Sequence, residues 1–147
     1  MDVANKLETL LSQSWNASNT DNITPKFLQI IDVEAKRYDF NTNKYVILFH
    51  RPLLRTEKNG IGTDGKRLRH LVRIDLRVLG KELESTYIKV YNEIIRILDS
   101  NIVNPFAGYD ELDYEDKDQQ DLSDKNKGLF RVMVPVNVIA YCVLRGN

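Results

Sequence analysis

The sequence predicts an α+β fold: a mainly antiparallel four-stranded sheet packed by two helices, in the order α-β-β-β-α-β, forming one domain over 1–147. Three observations lead there. Residues 68–79 alternate side-chain character for twelve positions, the period of a strand. Residues 82–99 repeat apolar side chains at spacings of three and four, the period of a helix. Residues 129–144 alternate again, so a strand returns after the helix. A sheet with one apolar face must bury it, and two amphipathic helices laid on that face are the economical cover. A chain of 147 residues supports one core of this kind.

Taken in order, residues 2–15 read as a first helix. Asp2 suits the first turn, and Val3, Leu7, Leu10, Leu11 and Trp15 form one stripe. "NASNTDNITP" breaks it with turn-forming residues and a proline. A first strand follows over about 27–37, with Ile31, Val33 and Ala35 turned to the core. "DFNTN" reads as a turn into "KYVILFH", a strand apolar enough to be buried on both faces, and the two strands are expected to pair as an antiparallel hairpin. Residues 51–66, with Pro52 and three glycines, read as a long basic loop. "GIGTDGK" inside it lacks the GK[ST] ending of a phosphate-cradling loop.

The strand at 68–79 has Leu68, His70, Val72, Ile74, Leu76 and Val78 on one face, and Arg69, Leu71, Arg73, Asp75, Arg77 and Leu79 on the other. Gly80 turns the chain into the helix at 82–99, whose stripe is Leu83, Tyr87, Val90, Tyr91, Ile94, Ile95 and Leu98. Residues 100–127 are so polar that they read as a second long loop. In the last strand Val132, Val134, Val136, Val138, Ala140 and Cys142 share a face, which makes Cys142 a small core residue. Pro135 cannot donate a ladder hydrogen bond, which implies an edge position or a bulge.

Composition removes several function classes. Net charge is zero, from 21 basic and 21 acidic residues, so the basic excess typical of nucleic-acid binders is missing. One cysteine cannot close a disulfide within the chain, and no Cys/His cluster has zinc-ligand spacing. No apolar run approaches the roughly 20 residues of a membrane span, and nothing resembles a signal peptide, so a reducing, non-membrane setting is expected. No cofactor is implied.

The neutral total conceals two opposed segments. From Arg51 to Lys81 nine basic residues stand against three acids: Arg51, Arg55, Lys58, Lys66, Arg67, Arg69, Arg73, Arg77 and Lys81 against Glu57, Asp64 and Asp75. From Asp110 to Asp124 eight acids stand against Lys117: Asp110, Glu111, Asp113, Glu115, Asp116, Asp118, Asp121 and Asp124. Two solvated loops would show this pattern, and so would a chain that binds copies of itself plus to minus. On the second reading Arg55, Lys58, Lys66, Arg67, Arg69, Arg73 and Arg77 meet Asp110, Glu111, Asp113, Glu115 and Asp116 of a neighbour. The Arg69, Arg73, Arg77 stripe could also meet phosphates, but no aromatic side chain interleaves with it for stacking. His50 and His70 have no nucleophile nearby in sequence and read as structural.

"IIDVEAK" places Asp32, Glu34 and Lys36 on one strand face, two hard-oxygen ligands for Mg²⁺ beside a lysine. It resembles the second half of the PD-(D/E)XK nuclease motif. The upstream acid of that motif is missing: Asp21 lies before any strand and follows no proline. The three residues therefore read as the polar face of a strand, with a metal-dependent nuclease as the alternative.

The ordered set of elements resembles a second family over most of the chain. A leading helix, "YVILF" at Tyr45–Phe49, a loop, "LVRIDLRVLG", a helix ending in "IIRILD" at Ile94–Asp99, a long variable loop and "DLSDKNKGLFRVMVPVNV" are similar to the tail-completion or tail-terminator proteins of tailed viruses. The resemblance implies a non-enzymatic virion protein, a ring homo-oligomer that is commonly hexameric, seated at the head–tail junction. Its implied partners are its own copies, the tail tube protein and neck or connector proteins. DNA would pass through the lumen without specific binding, and assembly would occur in the host cytoplasm. Neck and head-completion proteins share much of the pattern.

Overall fold

The computed structural model describes residues 3–30, 44–58 and 65–143, which form two α-helices on one face of a mixed seven-stranded sheet. Ile31, Val33, Ala35, Asp32, Glu34, Lys36 and residues 59–64 lie outside the described residues, as do the side chains of Lys58 and Cys142. Helix α1 (Val3–Ser14) buries Val3, Ala4, Leu7 and Leu11 as the stripe requires. A 3-10 turn at Ala17–Thr20 follows, capped by the Asn16 side chain, which accepts from the Ser18 N–H. The Trp15 indole N–H donates to the Ile23 carbonyl at 3.1 Å, folding the polar connection back under the helix.

The first two strands do not form the expected hairpin. β1 (Lys26–Ile30) and β2 (Tyr45–His50) pair in parallel, from Lys26 with Val46 to Ile30 with His50. Parallel neighbours need a crossover connection of a dozen or more residues, and the chain between them is fourteen residues long. "DFNTN" resembles a tight turn locally, but local turn residues do not fix strand direction. β2 is buried from Val46 to His50, in keeping with its apolar run.

The stretch read as a loop at 51–66 instead holds β3 (Leu53–Lys58) and the start of β4 (Gly65–Leu79). β2 and β3 lie end to end along β4: Phe49 faces Ile74, and Leu53 faces Leu71. Four residue steps on one side oppose three on the other, a one-residue β-bulge containing Pro52. The bulge exchanges the faces. Phe49 shares the helix side with Ile74, while Leu53 shares the opposite side with Leu71. β3 was illegible because its ribbon is wetted on both faces: Leu53 and Leu54 are adjacent and both exposed.

β4 and β7 (Leu129–Val143) form the spine, paired antiparallel from Gly65 with Val143 to Leu79 with Leu129. Val72, Ile74, Leu76 and Val78 of β4 pack with Val132, Val134, Val136 and Val138 of β7, under the helices. Pro135 sits in a central strand, yet at a locally edge-like point. β5 (Glu111–Tyr114) pairs with Val136–Ile139 and β6 (Gln120–Asp121) with Val132–Met133, so neither reaches Pro135. The missing N–H therefore costs no ladder bond on that side.

Residues 100–127 are likewise not one long loop, since they contain β5, β6 and two 3-10 turns. Glu111-Leu112-Asp113-Tyr114 does alternate: Leu112 is fully buried, and the Tyr114 hydroxyl donates to Asp99 at the end of the second helix. Dense acidic charge conceals that signal in the sequence. The four-strand order α-β-β-β-α-β is thus replaced by α-β-β-β-β-α-β-β-β.

Helix α2 (Glu84–Asp99) follows Gly80 and a 3-10 turn at Lys81–Leu83, burying Val90, Ile94, Ile97 and Leu98. Gly80 has φ 147° and its N–H donates to the Gly128 carbonyl at 2.7 Å, a backbone conformation that favours glycine. Glu93 is also buried. Its carboxylate accepts from the Asn16 N–H at 2.8 Å, from Asn19 Nδ2 at 3.0 Å and from Arg96 Nε at 2.6 Å. Burial opposes its charge, but the bonds from Arg96, Asn16 and Asn19 prevail and lower its pKa. Glu93→Ala is expected to lose about 1–3 kcal/mol, because it removes the buried carboxylate that ties the Asn16 N–H, Asn19 and Arg96 together. Urea unfolding should show a lower midpoint at an unchanged m-value.

Candidate assembly surfaces

The sheet face opposite the helices carries charge in two places, one inside and one at the rim. The inner group surrounds Asp75, which is fully buried in mid-β4. His50 Nε2 lies 3.0 Å from its Oδ2, and Arg77 NH2 donates to the same oxygen at 2.9 Å. Arg131, directly across the ladder from Arg77, donates through Nε to Oδ1 at 3.0 Å and through NH2 to Oδ2 at 3.0 Å. An ionised carboxylate only accepts, so His50 presents its Nε2–H. Burial alone would raise the Asp75 pKa. The bonds from His50, Arg131 and Arg77 outweigh it and hold the carboxyl well below the usual carboxylate range.

This cluster joins β2, β4 and β7 and leaves Arg77 only 6% exposed, so Arg77 is turned inward. Of the arginines that share its strand face, Arg77 bonds Asp75, while Arg69 pairs with Glu57 at the rim. Neither His50 nor Arg131 could be assigned to Asp75 from sequence, since both reach it across the sheet. An acid centred among arginines on one strand face was the available signal. His70, on the helix side, meets the Tyr109 ring edge-on at 5.5 Å, and burial lowers its pKa.

The rim charge divides between two edges. On β3 and β4, Arg55 stands directly opposite Arg69, and Lys58 opposite Lys66. The two arginines so placed repel. Glu57 answers part of this, at 3.2 Å from Arg69 and 3.6 Å from Arg67. Arg73 is half-buried. Leu53, Leu54, Arg55, Arg69, Leu71, Asp118, Pro135 and Asn137 line a cavity of about 390 Å³ beside this edge.

On the other edge Asp110 accepts from the Tyr141 N–H at 2.8 Å, and Glu111 from the Tyr141 hydroxyl at 3.3 Å. Asp113 is exposed on β5, Glu115 pairs with Lys117 at 3.0 Å, and Asp116 accepts from Gln119 Nε2 at 3.1 Å. The structure thus brings Arg55, Arg67 and Arg69 together at one edge and Asp110, Glu111 and Asp113 at the opposite one. Among the described residues no three His, Cys, Asp or Glu side chains gather as a metal site. No described helix is long and apolar enough to cross a membrane.

No protein-family model and no curated protein matches the chain. Its fold is similar to that of a chain in the virion of a native gene transfer agent (GTA) particle. The TM-score is 0.66, covering 96% of this chain and 96% of that chain, at 7% sequence identity. At that identity the likeness is one of fold.

Proposed function

We propose that this chain is a structural subunit of a virion, and within it a ring-forming tail terminator or tail-completion protein that caps the tail tube and joins it to the neck. The observation that carries the reading is the fold shared over 96% of both chains with a component of a virion. Near-complete coverage in both directions means that no large insertion separates the two architectures. The sequence segments that resemble tail-terminator proteins point the same way, as do opposite charges on opposite sheet edges, which suit a head-to-tail contact that closes into a ring. On this reading the chain performs no chemistry. Its partners are its own copies, the tail tube protein and the neck proteins, with DNA passing through the lumen.

Cryo-electron microscopy of the particle that contains the chain tests this. The expected result is a ring of copies, six by the resemblance, between the tail tube and the neck. A ring on the head side of the neck would make it a head-completion protein instead, and a chain found in no particle would remove the virion reading. Incubation of the purified protein with DNA and Mg²⁺ addresses the nuclease alternative. No cleavage is expected, and cleavage abolished by Glu34→Ala or Lys36→Ala would establish it.

A further inference from the structure

The two charged edges stand at the two ends of one row across the sheet. Arg55 opposes Arg69, Arg69 opposes Ile139, Ile139 opposes Glu111, and Glu111 bridges to Val103. Both ends carry exposed apolar side chains, which are not scattered at random over the surface. Leu53 (53%) and Leu54 (59%) flank Arg55, while Ile102 (43%) and Val103 (71%) flank the acidic edge. These are four of the seven large apolar side chains exposed among the described residues. Adjacent exposed apolar residues at a charged edge mark an interaction surface rather than ordinary surface.

We infer that these two edges bind each other between copies: Leu53, Leu54 and Arg55 of one copy receive Ile102 and Val103 of the next, with Glu111 and Asp113 meeting Arg55 and Arg69. The inference rests on the reading of the chain as a self-assembling ring subunit and names the contact that closes the ring. Three observations select a second copy as the occupant. The charges are opposite. Each edge supplies apolar area of similar kind. And Arg55 and Asp113 have no ion-pair partner among the described residues, so both charges remain available. The cavity that Leu53, Leu54 and Arg55 help to line is the receptacle. Because the two patches differ and lie at opposite ends of a row, the contact is head-to-tail and leaves one patch of each kind free until a ring closes. An acid from the next copy also relieves the repulsion between Arg55 and Arg69.

Charge exchange tests the contact. Arg55→Glu and Asp113→Arg should each weaken self-association by about tenfold or more, read by sedimentation velocity, with thermal unfolding unchanged. Mixed in equal amounts, the two variants should regain wild-type association, because every contact can then be wild-type or fully exchanged in an alternating ring. A Leu53→Cys, Val103→Cys double variant in a Cys142→Ser background gives an independent reading. The four strand steps separating the two sites within one chain span about 19 Å, beyond the roughly 7 Å reach of a disulfide. Oxidised oligomers on a non-reducing gel can arise only between copies, and they are expected.

Single variants that associate like wild type, or a mixture no better than either variant alone, overturn the inference. So does a protein that stays monomeric at its highest soluble concentration and forms no crosslink. None of those results bears on whether the chain occupies a virion, which the particle image decides separately. A ring seen in the particle with other surfaces in contact would sustain the virion reading and reject this interface.

Discussion

Asp75→Ala is expected to lose about 3–5 kcal/mol of stability, the cost of removing one partner from a buried ionic group. The variant takes from buried Arg77, and from Arg131 and His50, the carboxylate that all three bond. Domains of this size hold about 5–15 kcal/mol in total, so the loss takes a large fraction. Guanidinium unfolding at pH 7 reads it directly. A loss under about 1 kcal/mol would show that water replaces the carboxylate and that the cluster does not hold β2, β4 and β7 together. The pH dependence has a fixed sign. The folded-state pKa of Asp75 is depressed, so its contribution is fully present above the ordinary carboxylate value of about 3.9 and disappears as pH falls below that toward the folded value. Glu93, also depressed, adds to the same acid limb. Wild-type stability should therefore fall steeply below about pH 4, and the Asp75→Ala curve should be flatter there.

Phe49→Ala should cost a similar amount, about 3–5 kcal/mol, for a different reason. Phe49 is fully buried on the helix side of β2 and stacks on Phe27 at 6.5 Å, and Phe27 meets Trp15 edge-on at 5.7 Å. Truncation leaves a void bounded by α1, β1 and β2, which rigid strands cannot collapse to fill. The melting temperature should drop by on the order of 10 °C. Trp15 is the only tryptophan, so its fluorescence reports this site alone. Phe49→Leu, which retains most of the volume, is expected to lose less. Equal losses for the two variants would mean that ring stacking, rather than volume, sets the cost.

The long strands β4 and β7 and both helices were legible because each buries one face against the other layer, which imprints a period on the sequence. Val72, Ile74, Leu76 and Val78 carry that imprint, as do Leu7, Leu11, Ile94 and Leu98. β3 and β6 carry none, because solvent reaches both faces and any polar residue serves. β5 carries it in only four residues, Glu111–Tyr114, among neighbours whose acidity outweighs it. At the charged edges the sequence revealed which residues were basic and which acidic. It could not separate Arg55 at the rim from Arg77 in the interior.

By itself, then, the sequence determined the two-layer character of this protein, its apolar core positions and the segregation of its charges, because burial periodicity and composition are local properties of the chain. The tertiary structure alone decided the direction of β1 against β2, the exchange of faces at the Pro52 bulge, the Asp75 cluster and the placing of opposite charges at opposite ends of one row. Each of these depends on which strand lies beside which. Pairing joins residues far apart in the chain, such as Asp75 with Arg131 and Arg55 with Glu111 through two intervening strands, and no local pattern encodes that adjacency.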